Sequence, residues 1–97
     1  MIHPTNGRVV LFTPGDDFKG VQHDKAQPLA AQVCHVWGDR MVNLLVTDSN
    51  ATLFSETSVT LLQDDDAKPE LRRFAEWMPY QKGQAAKTEE AERRVPR

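Results

Sequence analysis

The sequence predicts an all-β fold, a small SH3-like five-stranded barrel with a C-terminal arm or short helix. Runs of β-branched and aromatic residues recur at short intervals, each bounded by Gly, Pro, Asp or Asn. One run, Met41-Val42-Asn43-Leu44-Leu45-Val46-Thr47, sets Val42, Leu44 and Val46 on one face and Asn43 and Thr47 on the other, the period of a half-buried strand. The length, 97 residues, suits one modest core and no second one. An OB-like barrel shares these features but needs longer strands.

The first strand runs from Gly7 to Thr13 and stops at Pro14-Gly15. Residues 14–28 are rich in Pro, Gly, Asp, Lys and Gln, with Phe18 and Val21 as apolar anchors, and read as a long loop of the kind that often carries function. Leu29 to Trp37 is the second strand, opened by Pro28 at its edge, and Gly38-Asp39-Arg40 turns the chain into the third, Met41 to Thr47. Asp48-Ser49-Asn50 is a tight turn in which Asn50 suits the left-handed position. Ala51 to Phe54 and Ser58 to Leu62 supply the last two strands, separated by a polar bend at Ser55-Glu56-Thr57.

Residues 1–66 thus form the barrel and 67–97 the arm. Pro69 suits a first helical position, and Leu71, Phe74 and Trp77 share a face by three-residue spacing, so a short helix is expected there, ended by Pro79. The charged, apolar-poor stretch after Gly83 reads as a frayed helix or as disorder.

A net charge of −2 disfavours nonspecific nucleic-acid binding, which normally shows as a basic surplus. No apolar run approaches the roughly 20 residues that cross a bilayer, and Met1-Ile2-His3-Pro4-Thr5 lacks the basic flank and apolar core of a signal peptide. No membrane association and a cytoplasmic location are therefore expected. Cys34, the one cysteine, excludes an intrachain disulfide and reads as a small packed residue, with His35 on the opposite strand face.

No reaction is readable. His3, His23 and His35 match no zinc spacing, and Asp64-Asp65-Asp66 lacks the spaced oxygens and turn glycine of a calcium loop. There is no phosphate-cradling glycine loop and no serine elbow. No catalytic residue, metal or cofactor is expected.

Binding has more support. Trp77 and Tyr80 flank Pro79 outside the barrel pattern, and Trp37 ends a strand beside a turn, where aromatics with a polar edge favour contact surfaces. Arg40, Arg72 and Lys82 can pair with a phosphate, while Asn43 and Gln81 can read polar edges, together the aromatic and cationic groups that suit a nucleotide. The same aromatics equally serve to staple the C-terminal segment onto the barrel. An arm covering an edge strand of a neighbouring copy is a third use, and makes a homo-oligomer the expectation.

The run from Pro28 to Val33, the run His35-Val36-Trp37-Gly38-Asp39-Arg40-Met41-Val42-Asn43-Leu44, Thr57-Ser58-Val59 and above all Glu76-Trp77-Met78-Pro79-Tyr80-Gln81-Lys82-Gly83-Gln84-Ala85-Ala86-Lys87-Thr88 resemble a family of small accessory proteins of tailed bacteriophages. The likeness covers roughly residues 7–88. It implies a viral protein made in the host bacterial cytoplasm and carries over no catalytic residue. Small phage proteins of this size include inhibitors that sequester cyclic-nucleotide immune signals without cleaving them. Such a non-enzymatic sponge is the first functional expectation. A virion-associated or adaptor barrel that docks a protein partner is the second, and a nucleic-acid-binding barrel the third.

Overall fold

The computed structural model describes residues 1–70 and 72–94. Its elements are β1 (Val9–Thr13), β2 (Leu29–Gly38), β3 (Met41–Thr47), β4 (Leu53–Leu62), β5 (Phe74–Glu76) and α1 (Pro79–Arg94). Strands β1 to β4 form an antiparallel meander; β5 then pairs antiparallel with β1 and parallel with β4, closing a barrel. The expected small five-stranded all-β barrel with a C-terminal helix is the observed architecture.

Alternation places the core. Val10 and Phe12 of β1, Val33 of β2, Val42, Leu44 and Val46 of β3, and Val59 and Leu61 of β4 turn inward and are fully buried. Phe18, from the long loop, plugs one end: its ring sits edge-on to Phe12 (6.0 Å between centroids) and to Phe54 (5.2 Å). Gly20 makes room for it, because a Cβ there would lie 2.5 Å from the Phe18 ring and 2.8 Å from Phe54. Gly20→Ala therefore forces the plug aside, and a loss of about 1–3 kcal/mol is expected in urea denaturation, as for other overpacked cores.

Several readings of the sequence are corrected. The two strands expected at 51–54 and 58–62 are one strand, β4, kinked where Ser58 takes a positive φ of 53° and the β3–β4 register shifts between Val42 and Leu44. Arg73 pins this kink, bonding Glu56 Oε2 at 3.1 Å and the Thr57 carbonyl at 2.7 Å. The fifth strand comes instead from Phe74–Glu76, inside the segment read as a helix. Closure decides this: Ala75 pairs with both Phe12 and Leu61, so both edges of the segment are occupied by sheet hydrogen bonding. Leu71, the first residue of the expected helical face, lies outside the described residues.

Helix α1 starts at Pro79, which opens a helix rather than ending one. Met78 caps it: the Met78 carbonyl accepts from Lys82 N–H at 3.2 Å, while Gln81 Oε1 reaches back to Met78 N–H at 2.8 Å, half of a capping box with proline in the first helical position. The stretch after Gly83 continues as helix through Arg94. Cys34 is exposed, not packed: it alternates with the inward Leu29, Ala31 and Val33 and so falls on the outer side, and the register shift between Val33 and His35 turns His35 outward as well instead of to the opposite face.

In the turn after β3, Ala51 and not Asn50 holds the positive φ, 63°. Asp48 organises that turn. Its carboxylate accepts from Val21 N–H (2.9 Å), Asn50 N–H (2.9 Å) and Thr52 N–H (2.8 Å), tying the long loop to the β3–β4 connection. These bonds, led by that from Val21, hold Asp48 below the usual carboxylate range. Asp66 is lowered too, first by its hydrogen bond from Arg40 and then by Gln63 N–H. Both carboxylates ionise more readily folded than unfolded. Each adds stability that is complete above the ordinary carboxylate pKa of about 4 and is lost as pH falls through the lower folded value. Thermal melts should be flat in the neutral range and fall steeply below about pH 4. Asp48→Asn, which keeps one acceptor oxygen, should flatten that acid limb and lower the neutral-pH melting point.

Candidate functional site

The sequence offered one aromatic and cationic seam; the structure distributes its members. Trp77 follows β5 directly and is 1% exposed, the largest fully buried side chain. Its indole N–H donates to Gln63 Oε1 at 3.2 Å. Asn43 Oδ1 accepts from both Trp37 Nε1–H (2.9 Å) and Ser58 N–H (2.8 Å), bracing the β4 kink. Gln81, besides capping α1, donates from Nε2 to the Val9 carbonyl at 3.0 Å and so fastens the helix to β1. Arg40 bonds Asp66 at 2.9 Å, and that pairing raises its pKa further. Arg72 borders a separate hollow with Asp16, Asp17 and Met41. Lys82 lies on the side of α1 that faces Asp64 and Asp65. Trp37 is 62% exposed with His35 edge-on to it at 4.5 Å, away from the helix on the β2–β3 hairpin.

What the fold does bring together is a groove of about 580 Å³ between the N-terminal segment and the first turns of α1, within the size range of small-molecule sites. Tyr80, Gln81 and Gln84 line its helical side, and Ile2, His3 and Arg8 the other. Each wall is fixed from beneath. Gln63 holds both polar backbone groups of Ile2, accepting from its N–H at 3.2 Å and donating to its carbonyl at 2.8 Å. His3 Nδ1 lies 2.9 Å from Asp39 Oδ1. Opposite them, the Met78 cap and the Gln81–Val9 bond set the direction in which α1 leaves the barrel.

Arg8 is the residue that sequence reasoning missed. Its guanidinium carbon stands 5.7 Å from the centre of the Trp77 ring, a cation–π contact that positions it over the buried indole. Among the described residues this guanidinium has no carboxylate partner and no hydrogen bond, so its planar donor fork is uncommitted beside the groove. Tyr80, 74% exposed, presents its ring on the opposite wall. A lone arginine ahead of a strand reads as an ordinary solvated charge, and only the docking of Trp77 beneath it marks the position.

Among the described residues, no three His, Cys, Asp or Glu side chains converge to hold a metal ion, and no helix is long and apolar enough to cross a membrane. Comparison with protein-family models, with curated proteins and with solved structures finds no match.

Proposed function

We propose that the protein is a non-enzymatic binding module whose groove captures a nucleotide-derived anion. The observation that supports it is the pairing, across one concavity, of an uncommitted guanidinium (Arg8) with an exposed phenol ring (Tyr80). A base stacks on the ring, a phosphate takes the planar fork of the guanidinium, and the Gln84 amide reads a polar edge of the base. The roles expected of Arg40, Arg72 and Lys82 pass to Arg8, and that of Trp77 becomes support for Arg8 from below. Tyr80 keeps the role foreseen for it. The phage resemblance makes a cyclic-nucleotide immune signal, held in the host cytoplasm without cleavage, the first ligand to try.

Calorimetric titration with cyclic mono-, di- and trinucleotides, followed by recovery of the ligand from denatured protein, tests this reading. One of them should bind and be recovered intact. Tyr80→Ala should weaken it by about ten- to a hundredfold, the usual range for a base–aromatic stack. Arg8→Met, which keeps the cover over Trp77 but removes the charge, should weaken it with little change in melting temperature. Absence of binding by every candidate, or recovery of a cleaved product, refutes sequestration. The adaptor reading draws on a different feature, the uncharged outer face of the sheet; a stable protein partner held there, with the groove empty, would favour it.

A further inference from the structure

Among the described residues no acidic side chain lines the groove beside α1, although the chain as a whole carries a net charge of −2. Two carboxylates stand behind its N-terminal wall instead. Asp64 meets the Met1 amino group at 3.2 Å, and Asp39, in the β2–β3 turn, meets His3 Nδ1 at 2.9 Å. The second contact fixes a tautomer. A carboxylate only accepts, so Nδ1 carries the proton of that bond, and Nε2 is the ring nitrogen left for a ligand. The ring borders the groove and its side chain is 79% exposed, so a ligand can reach it. In a neutral ring Nε2 accepts, and a phosphate oxygen, itself an acceptor, is turned away. In an imidazolium Nε2 donates. An anion therefore takes His3 as a partner only together with a proton.

We infer that His3 is a second anion ligand of the groove, beside Arg8, and that capture of a phosphodiester draws a proton onto its ring. The inference rests on the reading of the groove as an anion site and adds to it a residue and a dependence on pH. The imidazolium lies between two anions, the Asp39 carboxylate on Nδ1 and the phosphate on Nε2, each joined by a charge-assisted bond. The ring takes its proton from solvent on binding and returns it on release, and no bond of the ligand breaks. Imidazole is the side-chain type that exchanges a proton in the neutral range. Arg8, on the same wall, is a fixed positive charge that opposes a proton on His3 until an anion arrives to neutralise both. Tyr80 is the titratable side chain that α1 brings to the groove, and the Met1 amino group is engaged by Asp64. The other histidines stand elsewhere: His23 Nε2 lies 2.8 Å from Asn50 Oδ1, and His35 is edge-on to Trp37.

Calorimetric titration of the full chain with the same cyclic nucleotides, in steps from about pH 8.5 to about pH 5.5, tests it. Over that window a phosphodiester keeps its charge, and the acid limb set by Asp48 and Asp66 is not yet reached. The wild-type dissociation constant should fall by about tenfold on acidification, the scale of one hydrogen bond to a charged group. His3→Asn keeps a donor for Asp39 where Nδ1 stood and lacks Nε2, so its dissociation constant should be constant throughout. Nitrogen-15 NMR of the wild type should show the His3 ring passing to imidazolium when ligand is added at neutral pH. No binding by any of the nucleotides removes the groove as an anion site, and this inference with it. Binding with a flat profile leaves the site standing and overturns the role given to His3. That holds even where His3→Asn weakens binding, because a neutral ring then accepts from a hydroxyl or amine of the ligand. A slope that survives in His3→Asn also overturns it and assigns the proton to another group.

Discussion

Trp77→Ala is expected to remove about 3–5 kcal/mol of stability, the range for truncating a large buried aromatic. A domain of this size holds roughly 5–15 kcal/mol in all, so the variant gives up a large fraction of its stability and should melt well below the wild type. Three contacts go at once. The indole fills the end of the core behind the closing strand, its N–H satisfies Gln63 Oε1, and its face carries Arg8. Trp37→Ala is the matched control, since that ring is 62% exposed and rests on the outer face. It should cost about 1 kcal/mol, chiefly through its hydrogen bond to Asn43. Urea denaturation followed by circular dichroism separates the two. A Trp77→Ala protein within 1 kcal/mol of wild type would show that β5 closes the barrel without the indole behind it.

The parts of this fold that were legible in the sequence are those with a period. Val42, Leu44 and Val46 alternate over seven residues and bury on one side, and the hairpin between β2 and β3 turns at Asp39-Arg40 as its turn residues indicate. The parts that were not legible have too few residues to show a period. β5 is three residues long with sheet partners on both edges, and the spacing of Phe74 and Trp77 fits a helical face equally well. Bulges defeated alternation at His35 and at Ser58, where the chain adds a residue that no pattern announces. The segment around Trp77 and Tyr80 was recognisable as docked or built to dock, and it divides between the two: Trp77 is inside, Tyr80 outside. Arg8 became visible only through a contact made across 69 positions of sequence, which no local pattern can carry.

Gln63→Leu is expected to cost about 2–4 kcal/mol, more than its volume change accounts for, because it leaves buried polar groups without partners. Gln63 is 1% exposed and uses its whole amide. Nε2 donates to the carbonyls of Ile2 and Asp39, both at 2.8 Å, while Oε1 accepts from Ile2 N–H and the Trp77 indole, both at 3.2 Å. One side chain therefore joins the N-terminal segment, the β2–β3 turn and the closing tryptophan. Backbone groups near the surface can recover water when it is removed; the indole N–H cannot. A double-mutant cycle isolates that difference. Trp77→Phe deletes the donor, so in its background Gln63→Leu should be milder by about 1 kcal/mol, and strict additivity would show that the indole bond contributes nothing. Gln63→Glu adds a test by pH. A carboxylate at this position faces the Ile2 and Asp39 carbonyls in a buried site, so its folded pKa is raised. The variant is then penalised above the ordinary carboxylate pKa of about 4 and relieved as pH falls toward it, opposite in sign to the acid sensitivity that Asp48 and Asp66 give the wild type. Melting temperatures of the two proteins should therefore converge on acidification, and a gap that stays constant or widens would mean that the Ile2 and Asp39 carbonyls do not hold the amide where the structure has it.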